Sequence, residues 1–112
     1  MEKRRHQRFA VDRPIQAINR LDDRELGRLI NLSEGGFMAI CGQGGPEPGH
    51  LLQLTIKDPE RQALEIQGGV RCVWREPTHG GDGYWCGYQF IDLSDDDRRK
   101  LQSYLALLAD KD

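Results

Sequence analysis

Two short stretches of the chain carry side chains suited to grasping a compact anion. The first is Arg4-Arg5-His6-Gln7-Arg8. Arg4 and Arg8 stand four apart, and a guanidinium fork takes two acceptors at once, either phosphate oxygens or the O6 and N7 edge of guanine. Forks on a tail can close over a ligand and gain order only when it binds. The second stretch is Asn31-Leu32-Ser33-Glu34-Gly35-Gly36. Asn31 can donate to and accept from a base edge, the Ser33 hydroxyl can donate to a phosphate, and Gly36 permits a positive φ or a close approach to the backbone. The plain alternatives are a solvated basic terminus and a polar hairpin turn.

Charge is distributed in a way that favours a small anion over a long polyanion. The net charge is −2, yet Lys3, Arg4, Arg5 and Arg8 fall within the first eight residues, and Asp92, Asp95, Asp96, Asp97, Asp110 and Asp112 enrich the end in acid. Duplex DNA wants a broad basic face, which this pattern lacks. Enzyme chemistry finds little to work with. His6, His50 and His79 are scattered through a terminus and loops with no HExxH spacing, no serine sits in a nucleophile elbow, and Gly42-Gln43-Gly44-Gly45-Pro46 lacks the lysine and hydroxyl of a phosphate-cradling loop. Asp95-Asp96-Asp97 reads as charge stabilising a helix start, and a metal site is not expected. Cys41, Cys72 and Cys86 are odd in number without a CxxC pair, so a reducing cytoplasm is the expected setting.

The elements that must position these residues are mostly strands. A chain of 112 residues, 38% hydrophobic and 30% charged, suits one globular domain, and 13 glycines with 5 prolines imply many turns. No stretch approaches the ~18 apolar residues of a membrane helix, and the charged start has no apolar segment behind it as a secretory signal would. Phe9–Pro14 is an extended lead-in. Strands are expected at Ile15–Arg20, Glu25–Leu32 (with Leu26, Ile30 and Leu32 on one side), Phe37–Cys41, Leu51–Lys57, Ala63–Arg75 and Tyr84–Ile91. Gly68-Gly69 predicts a bulge or bend, and Val70, Cys72 and Trp74 are expected to share a face. A helix follows at 94–109, with Ser94 as N-cap, Asp97 completing a capping box, and Leu101, Tyr104, Leu105 and Leu108 forming one apolar stripe. The expected architecture is all-β: a six-stranded antiparallel barrel over 14–91, with one C-terminal helix and an arginine-rich segment, 1–10, ahead of it. Met1 and this compact plan suit a stand-alone domain.

In this order and on this plan, the two stretches resemble the PilZ domain family, bacterial receptors for cyclic di-GMP. Arg4 and Arg8 match its Arg-x-x-x-Arg, and Asn31, Ser33 and Gly36 match its Asp/Asn-x-Ser-x-x-Gly. Gly87-Tyr88-Gln89-Phe90 is similar to the Gly-x-x-Phe ending the family's last strand, and Val73-Trp74 to a Val-Trp pair on the strand before it. The resemblance implies a ligand held on the barrel's outer surface with the arginine segment folded over it. Arg4 and Arg8 would grip guanine edges and phosphates, Arg5 would add a phosphate contact or stacking plane, Asn31 would read a guanine, Ser33 would meet a phosphate and Gly36 would keep the turn open. Trp74 matches a ligand-side aromatic, although core packing is an equal reading. Lys3 precedes the first arginine, where the family's choice between one cyclic dinucleotide and an intercalated pair is influenced; a cation there leans towards the pair. No enzyme, cofactor, metal, DNA or RNA is expected, nor membrane insertion. The expected output is a signal to a protein partner controlling motility, attachment or exopolysaccharide. The rival readings are an adaptor that binds protein but no nucleotide, and a basic-tailed nucleic-acid binder.

Overall fold

The computed structural model describes residues 8–11, 14–42, 45–60 and 64–109. Lys3, Arg4 and Arg5 therefore lie outside the described residues. The chain forms β1 (Phe9–Ala10), β2 (Gln16–Asn19), β3 (Glu25–Leu32), β4 (Gly36–Cys41), β5 (Leu51–Lys57), β6 (Glu65–Pro77), β7 (Tyr84–Leu93) and α1 (Asp95–Ala109). The strand order is β1-β3-β2-β5-β6-β7-β4, and a further β3–β4 pairing closes the six strands from β2 to β7 into an antiparallel barrel. Closure leaves the barrel strands without the open edges of a flat sheet.

The lead-in contributes a seventh, two-residue strand that the sequence pattern did not indicate. β2 covers only the first half of β3, pairing Gln16 with Arg28 and Ala17 with Gly27. The second half is taken by β1, with Phe9 opposite Leu32 and Ala10 opposite Asn31. Backbone bonds from Val11 N to Ile30 O and from Leu29 N to Ile15 O, both 2.9 Å, carry the pairing across the interruption at Pro14, which has no N–H to give.

Alternation decides the core. Phe37, Ala39 and Cys41 of β4, Leu54 and Ile56 of β5, and Cys86 and Tyr88 of β7 point inward and are buried. Two bulges overturn the expected faces elsewhere. The β3–β4 register slips between Leu29 and Asn31, so Leu29 and Leu32 enter the core while Leu26 and Ile30 are only partly buried. The β6–β7 register slips between Cys72 and Trp74. Val70 and Cys72 stay inside, but Val73 and Trp74 are 51% and 36% exposed, so Trp74 leaves the face it was expected to share. A bulge inserts one unpaired residue and reverses every side chain beyond it. The expected irregularity at Gly68-Gly69 is also present, between Gly69 and Val70.

Helix α1 closes over the barrel as its stripe requires, with Leu101, Tyr104, Leu105 and Leu108 buried. Each such leucine contributes about 2 kcal/mol by leaving water. Ser94 caps the helix as expected: Asp97 N donates to Ser94 Oγ at 3.0 Å, while Asp97 Oδ2 accepts from the Ser94 hydroxyl at 2.8 Å rather than from the Ser94 backbone N–H of a full capping box. The second Asp97 oxygen accepts from Gln67 N at 3.2 Å, tying the helix start to β6. Deeper in, the Tyr104 hydroxyl donates to the buried carboxyl of Asp58 at 3.2 Å. Tyr104→Phe removes a donor that a buried carboxyl uses, and should lower stability by about 1–3 kcal/mol in urea unfolding with the slope unchanged.

Candidate functional site

The strand registers bring Arg8, Ser33, Gly36 and Trp74 to one cleft in the outer wall, with Asn31 on a neighbouring strand outside its lining. Across four strands, Asn31 of β3 lies opposite Met38 of β4, Met38 opposite Gly87 of β7, and Gly87 opposite Trp74 of β6. The next row runs from Gly36 of β4 to Gln89 of β7 and Arg71 of β6. Arg8 joins these rows because Phe9 pairs with Leu32, which sets the residue before Phe9 beside the one after Leu32, Ser33. A cleft of about 210 Å³ results, lined by Arg8, Ser33, Gly36, Met38, Trp74 and Gln89 among others.

Two glycines make the hollow. A Cβ at Gly87 would collide with the Trp74 indole, which therefore lies close over the β7 backbone as part of the cleft wall. A Cβ at Gly36 would collide with the Tyr88 carbonyl, so Gly36 serves close packing of β4 on β7. The positive-φ glycines among the described residues are Gly49 and Gly81, so Gly36 does not use that option.

The turn between β3 and β4 is held from within. Ser33 is 5% exposed; its Oγ accepts from Gly35 N and Gly36 N and donates to Gly36 O, each at 3.2 Å. In this state the hydroxyl is committed to the turn. Asn31 Oδ1 accepts from Met38 N at 3.2 Å beside the bulge, leaving its amide nitrogen as the group with donors to offer. Gly35 O accepts from Phe90 N at 2.9 Å, and Glu34 Oε1 accepts from Gln102 Nε2 at 3.0 Å, so the turn is bonded to both β7 and α1.

Beneath the cleft, the Tyr88 ring stacks on Phe37 with centroids 4.8 Å apart, and its hydroxyl lies 3.2 Å from Cys41 Sγ. Burial pushes the Tyr88 phenol up. A hydrogen bond to Cys41, and burial after it, raises Cys86, while the Cys86 and Tyr88 donors hold Cys41 down at about 7. Burial raises Cys72. His50 and His79 are exposed, and among the described residues no group of three His, Cys, Asp or Glu side chains is placed to hold a metal. A larger hollow of about 460 Å³ at the Asn19–His50 side carries the carboxylates of Asp22, Glu25 and Glu47 against the single guanidinium of Arg24, a balance that disfavours an anion. No described helix is long and apolar enough to cross a membrane.

Sequence reading missed Gln89 and Arg71. Gln89 lay within a quoted motif, but only pairing across β4, β7 and β6 reveals that both residues belong to the cleft's neighbourhood.

Barrel, helix and outer cleft define a small β-barrel domain with its concave site on the wall rather than in the lumen. A family model for the PilZ domain matches residues 2–107, and the chain belongs to that family. Solved structures agree on the fold. The chain is similar to the PilZ domain with c-di-GMP of YcgR from Escherichia coli (TM-score 0.70, 19% identity, covering 98% of this chain and 94% of that one). It is also similar to MrkH of K. pneumonia in its c-di-GMP complex (TM-score 0.79, 17% identity, covering 99% and 54%). The third is the Bacillus subtilis inhibitor of motility MotI/DgrA (TM-score 0.74, 17% identity, covering 93% and 49%). This chain thus spans about half the length of the MotI and MrkH chains. No curated protein sequence matches it significantly.

The two glycines should respond differently to alanine. Gly36→Ala drives a methyl against main chain and should cost about 1–3 kcal/mol in urea unfolding. Gly87→Ala meets a side chain that can swing away; in a Trp85→Phe background it should red-shift Trp74 emission, with a stability loss under about 1 kcal/mol.

Proposed function

We propose that this chain is a receptor for cyclic di-GMP, bound in the cleft between the Ser33–Gly36 turn and Trp74. The observation that supports this best is the convergence, through the β1–β3 and β6–β7 registers, of Arg8, Ser33, Gly36 and Trp74 on one cleft. Membership of the PilZ family supports it too, as do neighbours of the same fold solved with c-di-GMP. The ligand's two phosphates and two guanines call for bidentate cations and a flat apolar surface, here Arg8 and the indole.

In this reading Arg4 and Arg5 follow Arg8 onto the ligand as the segment ahead of β1 closes over the barrel. Asn31 donates its amide N–H to a guanine. Gly36 keeps the turn close to β7, and Ser33 holds the turn and gives up one of its internal bonds if it meets a phosphate. Lys3 offsets the charge of a second, intercalated cyclic di-GMP. The role is binding, with no chemical step, and the closed segment presents a new surface to a protein partner that acts on motility, attachment or exopolysaccharide. Three buried free cysteines suit a reducing cytoplasm.

Calorimetric titration with cyclic di-GMP, with GTP and cyclic di-AMP as controls, tests the reading. Wild type should bind saturably and guanine-selectively, and Arg8→Ala should lose about 5- to 150-fold in affinity, as expected for one bidentate contact worth about 1–3 kcal/mol. The stoichiometry separates one ligand from a pair. No binding at high micromolar ligand would overturn the receptor and favour a protein adaptor.

A further inference from the structure

Arg71 and Gln89 face each other across β6 and β7, and Arg71 Nη2 donates to Gln89 Oε1 at 2.7 Å. Both side chains are exposed, and Gln89 lines the cleft directly opposite Gly36. The orientation of the glutamine amide follows from chemistry. A guanidinium has only donors, so the atom it bonds must be the carbonyl oxygen. Turning the amide over would set an NH2 group against a positive charge.

An unconstrained glutamine offers one donor group and one acceptor, the pattern that pairs with the N6 and N7 of adenine. With its carbonyl oxygen turned to Arg71, Gln89 directs its NH2 donors away from that residue. The O6 and N7 edge of guanine consists of two acceptors, whereas adenine places an amino group where guanine has O6. We infer that Gln89 is a base-reading residue that donates to the O6/N7 edge of a guanine in the cleft, and that Arg71 is the positioning residue that holds its carbonyl and so orients its donors. This rests on the cyclic dinucleotide reading above and assigns a source of guanine selectivity within it. Gln89 occupies a position that the Gly-x-x-Phe pattern leaves open, so the device belongs to this chain's own residues.

The test is a cycle of titrations of the full chain with cyclic di-GMP and with its 7-deaza analogue, whose bases lack the N7 acceptor. Wild type, Arg71→Met and Gln89→Met are compared, with thermal unfolding as a check that these exposed substitutions leave the fold intact. Wild type should lose about tenfold or more in affinity for the analogue, and both variants should show a penalty several-fold smaller. Equal penalties in all three proteins would overturn the inference while leaving the receptor standing. So would an Arg71→Met protein weakened equally toward both ligands, because that is the signature of surface charge alone. A wild type that binds cyclic di-GMP not at all would overturn the receptor reading itself.

Discussion

The site depends on the close approach of three strands at two residues that have no side chain. Gly36 lets β4 lie against the Tyr88 carbonyl, and Gly87 lets the Trp74 indole lie close over β7. Fill either position and the outer wall is convex, or the strands part. The larger residues around them, Met38, Trp74 and Gln89, become the rim of a hollow only because the centre is bare. Concavity on a barrel's convex surface has few other sources, since alternation sends every second side chain outward.

Around that centre the chain arranges polar groups by register. β1 is only two residues long, yet its pairing with the end of β3 carries Arg8 to Ser33 across a gap of loop and strand. The turn itself is stiffened by three hydrogen bonds to one hydroxyl and is then bonded to β7 through Gly35 and to α1 through Glu34. Helix α1 is in turn fixed by Asp97 on β6 and by Tyr104 on Asp58. A change at the turn therefore has two bonded routes into the rest of the domain, one through a strand and one through a helix.

Much of the barrel was legible because alternation and turn chemistry are local. The span of β3, the Ser94 cap and the stripe Leu101-Tyr104-Leu105-Leu108 all follow from residues within a few positions of one another. Trp74 was not legible. A single extra residue at Val73 reverses its side, and bulges are set by how two strands meet, which neither strand's sequence displays. Ser33 shows a related gap. Its type and spacing marked it for a phosphate, whereas folding has turned its hydroxyl onto the backbone of its own turn.

What the sequence by itself determined is the inventory: which segments are the six barrel strands, where the chain turns, where the helix begins, and which residues have the chemistry to grasp an anion and a purine. These are short-range properties of dihedral preference, hydrophobic period and side-chain functional group. What only the tertiary structure decided is adjacency: that Arg8 and Ser33 line one cleft, that Trp74 covers Gly87, and that Arg71 locks the amide of Gln89. Those contacts join residues far apart in the chain, and their partners are selected by the closing of the barrel and its bulges, because register couples every position on one strand to a specific position on the next.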